Sequence, residues 1–260
     1  MHRIKAFGFL LLIVPFCGCA LFAKKTPTPA AQIDGDSLAR TPPPPNERYY
    51  LILFGSQDAW HRPKYSHTWA TLVRAITVPG EADPKLVVHT ISWYPETLDI
   101  HPLRRFVEPG KNFDLSATLE SVLGNRENVA MWGPYEVWHG FAHRYLVQKE
   151  FLESGAVGYQ CDDSMGEAAR KGNGCACMHA LTDMDPIYPR WHYPLVEYGQ
   201  AATANFVRRL MHSPVTIEGS KTHDWLIPRL GLNEYPIERR SYRGRIDPYV
   251  PGAPGLNSAR

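Results

Sequence analysis

Three cysteines stand in the part of the chain that can fold, Cys161, Cys175 and Cys177, and two more, Cys17 and Cys19, lie close to the N-terminus. A thiol attacks carbon as its thiolate, so an ordinary pKa of about 8.5 has to be lowered. Cys177, Ala180, Leu181 and Met184 fall at i, i+3, i+4 and i+7, which predicts a helix with Cys177 on its apolar face and in its first turn. Unpaired N–H groups and the positive dipole end are expected to lower the thiol pKa there. An imidazole then has to take the thiol proton and return it to a leaving group. Eleven histidines compete for that role. His67 opens the β-branched run HTWATLVRAITV, with Trp69 and Thr71 on its face, and His89 sits in the run KLVVHTISWY. Pro79-Gly80 and a polar stretch join the two runs, which predicts a long hairpin with His67 and His89 on one sheet face. His67 is the candidate base, and His89, Thr90 or Ser92 would orient its ring. Gln57 and Tyr65 are the candidate oxyanion donors.

Cysteine arithmetic bears on the nucleophile. An odd number of thiols in an oxidising compartment leaves one over. Cys161 and Cys175 can close a modest loop, whereas Cys175 and Cys177 would bridge only with strain, so Cys177 remains. Cys175 stays open as an alternative nucleophile. The spacing C-x-C-x-H at Cys175, Cys177 and His179 lacks the C-x₂₋₄-C and H-x₃₋₅-H pattern of structural zinc sites, and no metal or cofactor is assigned. On a helix His179 points away from the Cys177 face, as a structural or solvent-facing residue. Glu136, in WGPYEV, would line a pocket or simply pack, and Asp183-Met184-Asp185 reads as a helix terminus.

The elements that must position these groups follow from pattern. YYLILFG at 49–55 is a buried strand. Leu115–Leu123 is a short helix entered through Asn112 and Asp114 and stopped by Gly124-Asn125. Residues 128–132 form a strand running into a turn at Gly133-Pro134. Residues 137–154 form an amphipathic helix with Gly155 at its C-terminal cap. A strand at 156–160, a polar loop at 162–174, the Cys177 helix ended by Pro186 and a helix at 198–211 complete the order. Trp225, Leu226, Ile227 and Leu230 dock on the core, and the last ten residues are frayed.

The N-terminus reads as an export signal. His2, Arg3 and Lys5 precede an apolar run from Ala6 to Phe16 that is too short to span a bilayer. Phe16-Cys17-Gly18-Cys19 resembles the bacterial lipobox, which would make residues 1–19 the signal and Cys19 the lipid-bearing residue, with plain secretion as the alternative. Residues 20–46 form a proline-rich linker. Residues 47–235 form the domain, and 236–260 a basic, proline-containing tail. A formal net charge of +2 gives no electrostatic reason to expect nucleic acid as a partner. The expected partners are a membrane, through the N-terminal lipid, and a substrate.

Four segments resemble the circularly permuted papain-like enzymes, which include relatives of lecithin retinol acyltransferases and of bacterial cell-wall endopeptidases. They are YSHTWATLVRA (65–75), VVHTISWYP (87–95), MWGPYEV (131–137) and NGCACMHALTDM (173–184). The resemblance implies an α+β, papain-like fold with an antiparallel sheet against the nucleophile helix. It also implies thiol chemistry on an amide or ester of a peptide, cell-wall or acyl substrate. That group carries Asn directly before the nucleophile, whereas Asn173 here precedes Cys175 by two residues and Cys177 by four. A non-catalytic envelope lipoprotein using the same fold for binding or scaffolding is the alternative from another class.

Overall fold

A computed structural model of the chain describes residues 29–32, 41–243 and 246–247. The expected signal with Cys19, most of the linker and the last ten residues lie outside the described residues. Strands are β1 (Glu47–Gln57), β2 (Ser66–Ile76), β3 (Lys85–Ile91), β4 (Trp93–Pro95), β5 (Gly110–Asn112), β6 (Asn128–Val137), β7 (Gly158–Tyr159), β8 (Gly174–Cys175), β9 (Ile237–Arg240) and β10 (Ile246–Asp247). Helices are α1 (Pro29–Gln32), α2 (Leu115–Gly124), α3 (His139–Glu153), α4 (Gly166–Lys171), α5 (Cys177–Thr182), α6 (Gly199–His212) and α7 (Leu226–Arg229).

The fold is mixed α+β. One sheet has the order β10-β9-β6-β1-β2-β3. Its centre, β1, reads as a continuous apolar run because both faces are covered, which removes the usual alternation. On one face Leu51, Leu53, Ala70, Leu72 and Ile91 pack against Phe141 and Tyr145 of α3, Leu181 of α5 and Phe206 of α6. On the other, Tyr50, Ile52, Phe54, Trp69 and Val73 pack against Leu119 and Val122 of α2 and Leu226 and Ile227 of α7. Two small pairs, β4 with β5 and β7 with β8, lie outside the main sheet.

The β2–β3 hairpin, the Asp114-capped α2, α3 and α6 lie where pattern put them; the Asp114 side chain accepts from the Ala117 N–H. Other expectations fail. Gly133-Pro134 is not a turn: β6 continues through it as a bulge, because Gly133 takes φ +95° and the register against β1 shifts between Leu51 and Leu53. The loop at 162–174 contains α4. The expected tail enters the sheet, with β9 running parallel to β6, so the sheet is mixed rather than antiparallel. Inside the expected linker, Pro29–Gln32 forms a helical turn whose Ala30 is buried in the core. The chain is fastened from residue 41 on, where the Thr41 carbonyl accepts from the His139 N–H.

Two features set up the site. Glycine at 55 lets the start of α6 press on β1, since a Cβ there would lie 2.5 Å from Thr203 Oγ1 and 2.8 Å from the Gln200 Cα. Tyr145, fully buried on α3, ends the hairpin: its hydroxyl accepts from the Ile91 N–H at 2.8 Å and has the Ala70 carbonyl at 2.7 Å as acceptor. Past Ile91 the chain leaves β2 for β4. We expect Tyr145→Phe, which strands the Ile91 N–H in an apolar environment, to lower stability by about 1–3 kcal/mol. Urea denaturation should show this as a reduced midpoint at unchanged m-value.

Candidate functional site

The last β2–β3 pair is Ala70 with Ile91, so His67 and Thr68 extend beyond the end of the edge strand. Backbone groups there need another partner. The Thr68 N–H lies toward the sulfur of Cys177, the first residue of α5, as do the N–H groups of Met178 and of Cys177 itself, and all three favour its thiolate. The thiol therefore lies at the residue next to His67 on β2, where successive side chains take opposite faces: Thr68 turns to Gly199 and Thr203 of α6, and His67 turns to Ser92 and Thr118.

His67 is 1% exposed. Its ring stacks on Tyr94 at 3.7 Å between centroids and lies beside Trp69. Its Nε2 is 3.0 Å from Ser92 Oγ, which also receives the Thr118 hydroxyl at 2.8 Å. The Ser92 N–H donates to Asn112 Oδ1. His67 Nδ1 is buried and makes no hydrogen bond, to sulfur or to any other atom. With Nε2–H given to Ser92, Nδ1 carries the basic lone pair.

Of the three groups proposed to orient His67, Ser92 does so and His89 does not. The β2–β3 register pairs His89 with Leu72 and Thr90 with Thr71, which puts Thr90 and Ser92 on the His67 face and His89 on the opposite one. A shift of one residue reverses every side chain of a strand, and the eight-residue connection at 77–84 leaves that shift undetermined by sequence. His89 instead lines a cleft of about 560 Å³ with Asn112, Lys149 and Tyr235, away from the thiol. The oxyanion candidates do not converge either. Gln57 points to Gln200, with 3.4 Å between amides, and Tyr65 lies under the Arg62 guanidinium at 4.4 Å.

Cys161, Cys175 and Cys177 are all thiols, so the expected Cys161–Cys175 disulfide is not formed. Cys175 is 1% exposed, with Arg190 Nη2 at 3.8 Å from its sulfur, which places it in the core rather than at a reactive surface. Its carbonyl accepts from Trp93 Nε1 at 3.1 Å and from the Gln160 N–H at 3.2 Å. Asp163, in the stretch read as loop, accepts from the Ala176 N–H at 3.0 Å, from His179 Nδ1 at 2.7 Å and from Arg190 Nη1 at 2.9 Å. His179 is buried, and its Nε2 meets the Tyr193 carbonyl at 2.9 Å, so both ring nitrogens are engaged by groups other than the thiol. Arg190 also pairs with Asp183, and Asp185 accepts the Ile187 and Tyr188 N–H groups as a helix terminus does. Among the described residues no group of three His, Cys, Asp or Glu side chains is arranged to hold a metal ion. Glu136 pairs with Arg48 at 2.7 Å, on the far part of β6.

Burial sets the electrostatics. It pushes the Cys177 thiol up to about 11 despite the three N–H groups on its sulfur, reversing the expected lowering. Burial alone holds His67 well below the ordinary imidazole value. The resting pair is a neutral thiol and a neutral imidazole. A buried carboxyl that sequence reading missed, Glu127, lies in the same region: its Oε2 accepts from Ser56 Oγ at 2.5 Å, and Ser56 sits directly across from His67 on β1. In the sequence Glu127 stands in a polar stretch before a strand, with nothing to mark it as buried.

No protein-family model, curated protein or solved structure matches this chain. Among the described residues no helix is long and apolar enough to cross a membrane.

Two expectations follow. At pH 7 a thiol with a pKa of about 11 is ionised far less than an ordinary one, so iodoacetamide should label Cys177 on the order of a hundredfold more slowly than a small free thiol. The labelling rate should keep climbing above pH 9; a plateau below pH 7 would mean a preformed thiolate. Burial also raises Glu127 from 4.5 to about 7. The folded chain keeps a proton there that the unfolded chain releases, so this group's contribution to stability falls as pH rises from 4.5 to 7, by about 3 kcal/mol. Glu127→Gln should remove that component, so that wild type loses about this much relative to the variant between pH 4.5 and 8 in denaturant titrations.

Proposed function

We propose that this chain is an exported cysteine hydrolase or acyltransferase of the permuted papain-like kind, with Cys177 as nucleophile, His67 as its base and Ser92 as the residue that positions His67. The observation that carries the reading is the Cys177 sulfur at the Thr68 N–H, one residue along β2 from His67, whose remaining ring nitrogen is buried and unpartnered. The order of His on a strand, hydroxyl on the next and Cys at a helix start supports the papain-like assignment.

Because both groups are neutral at rest, the proton moves as the bond forms. Nδ1 of His67 takes the Sγ proton while sulfur attacks the carbonyl carbon of an amide or ester. The oxyanion that develops lies where the N–H groups of Cys177 and Thr68 converge; two fixed backbone donors in a water-poor site suit that role. Ser92 accepts the Nε2–H of the imidazolium, which then protonates the leaving group. Water, or an acceptor alcohol or amine, releases the acyl-enzyme. Peptide, cell-wall peptide and lipid acyl groups all present such a carbonyl. An envelope location, with a lipid on Cys19, suits a cell-wall or membrane-borne substrate.

The raised thiol pKa and the absent Nδ1–sulfur hydrogen bond favour a rival reading, a non-catalytic envelope protein that retains the fold for binding. p-Nitrophenyl acetate separates the two. The hydrolase reading expects a burst of nitrophenol stoichiometric with protein and an acetyl group on Cys177 by mass spectrometry. Cys177→Ser and His67→Ala should each abolish the burst, while Ser92→Ala should slow it by roughly 10- to 100-fold through loss of ring orientation. No burst, or acetylation at another residue, would contradict it.

A further inference from the structure

Beyond the hydrolase reading, and resting on strand register rather than on it, we propose that Cys161 is the resolving thiol of Cys177, and that a low-molecular-weight disulfide converts the two into an intramolecular disulfide. Strands β7 and β8 run parallel, with Gly158 opposite Gly174 and Tyr159 opposite Cys175. The Gln160 N–H on the Cys175 carbonyl carries the pairing one residue further, and Ala176 stays extended, at φ −81° and ψ 159°. Two residues beyond the last pair on each chain stand Cys161 and Cys177. Neighbouring strands lie about 4.8 Å apart, inside the Cα separations of roughly 4.4–6.8 Å that a disulfide spans. The Cys175 sulfur, fully buried, has Arg190 Nη2 at 3.8 Å.

Other features support the pairing. Both residues are half-buried and pack on the same core cluster. A thiolate at Cys177 would oppose ionisation of Cys161, which reports their proximity. The Tyr159 hydroxyl donates to the Cys161 sulfur, and Tyr198 feels both thiols. Apart from these contacts Cys161 has no part in the mechanism above.

The chemistry balances with oxidised glutathione. The Cys177 thiolate attacks one of its sulfurs and forms a mixed disulfide, releasing one glutathione thiolate. The Cys161 thiolate attacks the Cys177 sulfur and displaces the second glutathione thiolate. Two protein thiols give up two protons and two electrons, and the reagent's disulfide becomes two thiols. The product masks the nucleophile, and dithiothreitol restores it.

Incubation of the full chain with oxidised glutathione at pH 8, followed by non-reducing peptide mapping, tests this. The expected product is a Cys161–Cys177 cross-link that also forms in Cys175→Ser. In Cys161→Ser, glutathione should remain on Cys177. A Cys161–Cys175 or Cys175–Cys177 link, glutathione retained on wild-type Cys177, or no reaction would overturn the proposal. The cross-link is read by mass alone, so its absence and the absence of an acyl burst are separate results. If the burst exists, it should be lost on oxidation and return with dithiothreitol.

Discussion

A single backbone N–H organises this molecule. β2 runs past the end of β3, and the Thr68 amide beyond that end lies toward the sulfur of Cys177. A buried donor left without a partner costs about 1–3 kcal/mol, so the start of α5 is tied to the place where the sheet stops. Tyr145 sets that place by capping Ile91, and Asp163 holds the Ala176 N–H that precedes Cys177. Because α5 is only six residues long, its own turns cannot fix its start; the sheet end and the Asp163 cluster do so.

The same enclosure governs the charges. Burial raises a thiol and a carboxyl and lowers an imidazole, and all three shifts occur here, at Cys177, Glu127 and His67. The stacked rings of Tyr94 and Trp69 exclude water from His67 without supplying an acceptor for Nδ1. A dry, neutral site differs from the thiolate–imidazolium pair that a helix N-terminus alone would suggest. Its dipole and N–H groups are present at Cys177, and desolvation outweighs them. A high thiol pKa keeps Cys177 mostly un-ionised at neutral pH, and in the proposed reaction a bound carbonyl would draw the proton across.

Much of the architecture is legible in the sequence. The hairpin is written in two β-branched runs, α2 in its Asp114 cap, and α3 and α6 in apolar periodicity. That Cys177 opens a short helix follows from the spacing of Cys177, Ala180 and Leu181. What is not legible is decided at long range. The face of His89 depends on a one-residue register set by an eight-residue connection, and Ser92 replaces it for that reason. The Cys161 partner depends on the short parallel pairing of β7 with β8, which leaves no periodic trace. β9 lies in a segment whose prolines and arginines read as a tail, yet Ile237 gives it one buried anchor beside β6. Asp163, Glu127 and Arg190 sit in polar stretches, and only tertiary packing turns them into buried, paired groups.

The central proposal is that thiol, imidazole and backbone donors would converge on one reacting carbonyl. A crystal structure of the chain treated with a small peptide aldehyde tests it most directly, because the hemithioacetal mimics the tetrahedral intermediate. The expected result is a bond from Cys177 Sγ to the aldehyde carbon, its oxygen within about 3 Å of the Cys177 and Thr68 N–H groups, and His67 Nδ1 turned toward the adduct with Nε2 still on Ser92. An aldehyde bound elsewhere, or an adduct whose oxygen points away from both amides while Nδ1 stays unpartnered, would contradict it.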